Sequence, residues 1–180
     1  MVQKRSTRQI LKDNLARSAP EPMGRLCIWL HNIRSKHNVG AAFRSADAFG
    51  IDHIIISGYS PAPPEPEISK TALGAEENVD WKAPDKPANH ALKLKSSGYK
   101  LIGIEQTTDS ILLPDYKPTV ENSLCLVFGN EVTGIDDELL PLIDQFVEIP
   151  QYGYKHSLNV SVSIGTVLYA MLEKFWPNNI

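Results

Sequence analysis

Four apolar runs, residues 25–30 (RLCIWL), 53–57 (HIIIS), 100–104 (KLIGI) and 124–128 (LCLVF), alternate with helix-like segments, and this alternation constrains the fold more than any other feature. A shorter run at 146–149 (FVEI) adds a fifth candidate strand. Apolar strands without a polar face have to be covered on both sides, which is the condition of a parallel sheet wrapped by helices. Helical patterns fall at 38–49, with Asn38 as a candidate cap and Gly50 as the stop, and at 87–97, followed by Gly98. A short one falls at 136–143, and a long one spans 157–175, opened by Ser157 and stopped by Pro177. The Pro-rich stretch 61–66 reads as a loop. The expectation is an α/β domain with a mainly parallel sheet flanked by helices over residues 25–180, preceded by a basic arm or helix at 1–24.

With 180 residues, 42% of them hydrophobic, the chain is long enough to bury a sizeable core. No stretch approaches the roughly 20 apolar residues of a membrane span, and the N-terminus MVQKRSTRQILKDNL lacks the apolar run of a secretory signal. These features predict a cytoplasmic chain with no membrane partner. Cys27 and Cys125 lie inside apolar segments and read as buried reduced thiols. The five histidines (31, 37, 53, 90, 156) follow no HExxH or Cys-pair spacing, so no metal is expected. A GxSxG nucleophile motif is also missing.

The net charge of −3 conceals an asymmetry. Residues 1–36 carry eight Lys/Arg against Asp13 and Glu21, a balance of +6, which leaves −9 for the rest of the chain. Such an arm suits phosphate contact, and it equally suits a solvated charged helix.

Three segments combine residues suited to chemistry. The first, NVGAAFRSA from Asn38, sits where the first strand passes into the first helix, the kind of junction at which open α/β sheets bind ligands. Gly40 and Arg44 are four apart and share a helix face. Arg44 reads either as an exposed helix residue or as a guanidinium directed at a ligand, and Asn38 as a cap or a polar contact. The second, LCLVFGNEVTGI, ends a buried strand at Gly129, with Glu131 between that glycine and Gly134. Glycines let a backbone turn tightly and approach a ligand, while a carboxylate can accept from loop amides. The segment has the spacing of neither phosphate loop, GxGxxG or GxxxxGK[ST]. The third, VEIPQYGYKHSLNVSVS, sets Ser157, Asn159, Ser161 and Ser163 at every second position of a helix start. That spacing points to a buried helix start whose polar groups bond to backbone or ligand, or to simple capping.

Taken together, NVGAAFRSADAFG, LVFGNEVTG and IPQYGYKHSLNVSVS, with ISKTALGAE at 68–76, resemble the ordered motifs of the SpoU/TrmH branch of the SPOUT RNA methyltransferases. The resemblance covers roughly residues 25–175; Ser163 stands where alanine is usual and Gln151 where methionine is common. It implies a C-terminal deep trefoil knot, a fold feature otherwise almost absent from proteins. It implies S-adenosyl-L-methionine (SAM) held by Gln106, Gly129, Ile149 and Leu158. The methyl acceptor it implies is a ribose 2′-hydroxyl of tRNA or rRNA, within a homodimer in which one protomer completes the other's site.

The same resemblance assigns Arg44 to the backbone phosphate and 2′-hydroxyl, Asn38 to orienting Arg44 or the ribose, and Glu131 to fixing the cofactor loop. Ser157 and Asn159 would hold the knot and line the transfer cavity. A catalytically silent RNA-binding assembly factor and a base-modifying enzyme are the competing readings. Retention of all five residues argues against the first, and the Asn–Arg spacing against the second.

Overall fold

The apolar runs and two short additions form one sheet of β1 (Leu26–His31), β2 (His53–Ser57), β3 (Asp80–Lys82), β4 (Tyr99–Ile104), β5 (Ile111–Leu112), β6 (Ser123–Phe128) and β7 (Gln145–Glu148). The structure, a computed structural model, describes residues 2–176. All pairings are parallel, in the order β3-β2-β1-β6-β4-β7-β5. The helices are α1 (Thr7–Leu15), α2 (Lys36–Phe49), α3 (Pro66–Ala72), α4 (Pro87–Ser96) and α5 (Val160–Phe175). The expected α/β architecture with a parallel sheet is therefore present.

Alternation along the central strands separates two apolar layers. Leu26, Ile28 and Leu30 of β1, Ile54 and Ile56 of β2 and Leu124, Leu126 and Phe128 of β6 share one core with residues of α2, α3 and α5. Cys27, Trp29, Ile55, Cys125 and Val127 point into the other, with Ala91 and Leu94 of α4. Each buried Leu or Ile contributes about 1.5–3 kcal/mol, so both faces stabilise the sheet. Cys27 and Cys125 are register partners on β1 and β6, both free and fully buried, and they pack as small hydrophobes.

Several boundaries differ from the sequence reading. Ser35, not Asn38, caps α2, its Oγ accepting the Asn38 N–H at 3.3 Å, which frees the Asn38 side chain for another partner. Asn159, not Ser157, caps α5, its Oδ1 accepting from the Ser161 N–H at 2.8 Å. Residues 157–159 are exposed rather than buried, because the small polar groups meet backbone at the open end of the helix. The helix expected at 136–143 is a run of turns with a 3-10 stretch only at Leu140–Leu142. Asp136 takes the Leu139 N–H with its carboxylate, and Pro141 has no N–H to extend a ladder. Helix α3 emerges from the Pro-rich stretch because Pro66 occupies its first position, where a missing N–H costs nothing. Pro177, expected to stop α5, lies outside the described residues; α5 closes at Trp176, which is extended.

The crossing of α2 and α3 is set by Gly40. A Cβ there would overlap Thr71 Oγ1 and the Ile68 carbonyl oxygen, which is backbone and cannot swing away. Gly→Ala inside a helix normally gains up to about 1 kcal/mol. Here Gly40→Ala is expected to cost about 1–3 kcal/mol through overpacking. A chain of this size should then melt roughly 2–12 °C lower. An unchanged or higher Tm in a thermal scan would contradict the close approach.

Helix α1 buries no residue and is capped by Ser6. Asp13 on this helix pairs with Arg5 just before it, Nη1 to Oδ2 at 2.7 Å, at an exposed position. The rest of the basic arm is therefore available to solvent or to a partner.

Candidate active site

The C-terminal ends of β4, β6 and β7 open on a cavity of about 300 Å³ closed on its far side by the start of α5. Parallel sheets gather ligand sites at this edge, because loops rather than helices rise there. Its walls include Glu105 and Gln106 after β4, Gly129 to Val132 after β6, Glu148 and Ile149 at β7, and His156, Ser157 and Leu158 before α5.

The loop after β6 is rigid for reasons that can be named. Asn130 and Gly134 exchange backbone hydrogen bonds at 2.9 and 3.0 Å, and Gly134 has φ +71°, a conformation suited to glycine. A Cβ on Gly129 would overlap the backbone of Gly134 and Ile135. Asn130, buried, accepts from the Val132 and Thr133 N–H groups at 2.8 and 3.0 Å with its Oδ1. Its Nδ2 donates to the Asn32 carbonyl at 2.9 Å and to the Tyr59 hydroxyl at 2.7 Å. The loop is thus sewn to the ends of β1 and β2 by a single side chain.

Glu131 makes the second seam. Its carboxylate accepts from the Arg34 N–H at 3.0 Å, the Ser35 N–H at 3.4 Å and Asn38 Nδ2 at 2.9 Å. Burial pushes this carboxyl up, but the bonds from Arg34, Asn38 and Ser35 outweigh it and hold the group below the ordinary glutamate value. Asp136 makes the third. It sits 2.7 Å from His31 Nε2 and accepts from Asn32 Nδ2 at 2.9 Å, while His31 Nδ1 lies 2.7 Å from Ser57 Oγ. Burial raises the Asp136 carboxyl, and the His31 contact and backbone amides bring it below its usual range.

On the β4 side, Glu105 accepts from the Ile135 N–H at 3.2 Å and the Gln106 N–H at 3.0 Å. Gln106 Nε2 donates to the His156 carbonyl at 2.8 Å and so ties β4 to the segment before α5. The cavity wall carries three carboxylates, Glu105, Glu131 and Glu148, and no Lys or Arg. Among the described residues, no group of three His, Cys, Asp or Glu side chains converges as a metal site would require.

A sequence profile of the SpoU rRNA Methylase family matches residues 25–169. The chain belongs to this family. Among SpoU-family relatives, it is 31% identical over 148 residues to the tRNA (guanosine(18)-2'-O)-methyltransferase of Aquifex aeolicus, covering 80% of this chain and 67% of that protein. With the 23S rRNA (guanosine-2'-O-)-methyltransferase RlmB of Neisseria meningitidis serogroup B it shares 35% identity over 143 residues, 79% of this chain and 56% of that one. The chain therefore spans little more than half of the meningococcal enzyme. In structure it resembles the A. aeolicus TrmH/SpoU tRNA modifying enzyme, with TM-score 0.75 and 26% identity over 84% of this chain and 75% of that chain. An AdoMet-bound rRNA methyltransferase from Sinorhizobium meliloti has the same fold, with TM-score 0.75 at 23% identity over 85% of this chain and 57% of that chain.

Of the residues singled out from the SpoU motifs, Gln106, Gly129, Glu131, Ile149, Ser157 and Leu158 face one cavity. Asn38 reaches it only through Glu131, and Asn159 is occupied in capping α5. Arg44 does not face it. Exposed on α2, it lines a separate open cleft against α3. Asn130, Glu105 and the pair His31–Asp136 are further residues of this region that the motifs do not single out. Asn130 stands inside the GNEVTG segment, its signal an amide directly after Gly129 and four residues before Gly134; His31 and Asp136 lie 105 residues apart, with no local signal to join them.

Proposed function

We propose that the cavity binds SAM and that this chain transfers the methyl to a ribose 2′-hydroxyl of tRNA or rRNA, acting in the cytoplasm as a knotted homodimer. The observation that carries the reading is the wall chemistry. Three carboxylates without a Lys or Arg oppose a nucleoside di- or triphosphate and favour a cationic sulfonium, while the glycine-bounded loop lets backbone groups come close to a nucleoside. Membership of the SpoU family supports the same conclusion.

Bound SAM supplies an already activated methyl. What remains for the chain is alignment and removal of the hydroxyl proton. Gly129, Ile149, Leu158 and Gln106 hold the cofactor, with Glu131 fixing its loop and Ser157 lining the transfer end. Asn159 sets the start of α5. Arg44 holds the RNA phosphate and stabilises the charge that grows on the ribose oxygen, with Asn38 orienting the acceptor side through its bond to Glu131.

Arg44 lies outside its own chain's cavity, which supports a site completed by a second copy. The exposed apolar side chains Val162 and Tyr169 along α5, with Trp176 just past its end, offer a face for that contact. Residues 1–24 serve as an RNA-contacting arm on the catalytic domain of residues 25–180. Light scattering is expected to give twice the chain mass of 20.0 kDa; a monomer at assay concentration would refute the shared site.

Calorimetry tests the cofactor directly. SAM and S-adenosylhomocysteine are expected to bind at micromolar order, about −8 kcal/mol, with no comparable heat from NADH or ATP. Binding of ATP without SAM would overturn the assignment.

A further inference from the structure

We propose that Lys70 is a second phosphate-binding residue for the RNA strand, acting with Arg44 across the cleft between α2 and α3. The proposal rests on the RNA-methyltransferase reading and adds the path of the strand beyond the reacting ribose. Arg44 and Lys70 line the same open cleft of about 560 Å³. Both side chains are exposed, and among the described residues neither makes an ion pair or hydrogen bond. Three cations elsewhere are paired, Lys36 with Glu65 and Glu67, Lys95 with Asp144 and Arg25 with Glu21, whereas Arg44 and Lys70 open together into one cleft.

The surroundings sharpen the contrast. Residues 37–180 sum to −9, so two unneutralised cations opening into one cleft stand out in a negative chain. The acidic residues of α3 and its cap are already engaged, Glu65 and Glu67 lying 2.8 and 3.5 Å from Lys36 Nζ. That same pairing, together with the backbone contact at Gly40, fixes α3 against α2 and therefore fixes Lys70 relative to Arg44. The lip of the cleft is Leu73, 67% exposed, and half-buried Phe49 lies inside it. Cations flanking an apolar strip suit a ribose-phosphate backbone, which presents one charge per nucleotide beside the face of a sugar or base.

The test is fluorescence anisotropy with bulk tRNA and with rRNA from a strain lacking the enzyme, over a range of salt, for the wild type, Lys70→Ala, Lys70→Arg and Lys93→Ala. Lys93, exposed on α4 at the opposite face of the sheet, is the control. Lys70→Ala is expected to weaken binding about threefold or more near physiological salt and to lower the slope of log affinity against log salt by about 0.7–0.9. Lys70→Arg keeps the slope, Lys93→Ala matches the wild type, and S-adenosylhomocysteine binding is unchanged throughout. Lys70→Ala indistinguishable from Lys93→Ala would overturn the proposal. Methyl transfer to the same RNA, measured in parallel, separates the two levels. A wild type that methylates while Lys70→Ala binds normally removes the Lys70 assignment alone, whereas a wild type that methylates no RNA removes the reading beneath it.

Discussion

Arg44→Ala is expected to slow single-turnover methyl transfer about a hundred- to a thousandfold, the effect of removing a donor to charge that develops in the transition state. The loss falls far more on the rate than on RNA binding, because in the proposed role the guanidinium's strongest interaction forms only as the ribose oxygen gains charge. Arg44 is exposed, and among the described residues it makes no side-chain hydrogen bond or ion pair, so its removal leaves no buried group unsatisfied. Lysine should rescue poorly, since an ammonium cannot span phosphate and hydroxyl as a planar fork does. Single-turnover rates beside an RNA-binding titration decide it. Near-wild-type turnover in Arg44→Ala would return Arg44 to an ordinary surface position.

Glu131→Ala is the second large effect, and it acts through structure. The substitution strands the Arg34 and Ser35 N–H groups and the Asn38 amide, which now converge on one carboxylate. Hydrogen bonds to a charged group contribute about 1.5–3 kcal/mol each when buried. Glu131 is only half-buried, so water screens part of this, and a total of about 2–3 kcal/mol is expected. That predicts a Tm roughly 4–12 °C lower and a loss of cofactor affinity, with Glu131→Gln intermediate. The carboxyl titrates below its ordinary value of about 4.3, and burial alone would have raised it. A depressed folded-state pKa stabilises fully above the unfolded value and is lost as pH falls through the folded one. The wild type should therefore lose stability on acidification below about pH 4.3, and Glu131→Ala should lose less over that interval. Parallel acid-melt curves for the two proteins would contradict the seam.

Much of this was legible in the chain because apolar patterning is local. His53–Ser57 carries its strand assignment in five consecutive residues, all buried. The parallel sheet followed from runs too apolar to leave a face in water. What stayed hidden depended on distance or on competition between signals. Pro66 reads as a loop residue until it is seen at the first turn of α3. At the start of α2, Ser35 and Asn38 both suit a cap, and only the geometry shows that Ser35 takes the role and Asn38 turns to Glu131. Gln106, Gly129, Glu131 and Ile149 were singled out through the family resemblance, and all four line one cavity. Their convergence on one cavity, and the position of Arg44 outside it, came from strand order β1-β6-β4-β7, which no local pattern encodes.

The most direct measurement of the central claim is the chemical position of the transferred methyl. RNA from a strain lacking the enzyme is incubated with the purified protein and methyl-labelled SAM, then hydrolysed in alkali, which cleaves only where a free 2′-hydroxyl is present. Ribose methylation predicts label in alkali-resistant dinucleotides, and none from Arg44→Ala at matched times. Label in mononucleotides would mark a base methyltransferase, and no label in any RNA would contradict the account altogether.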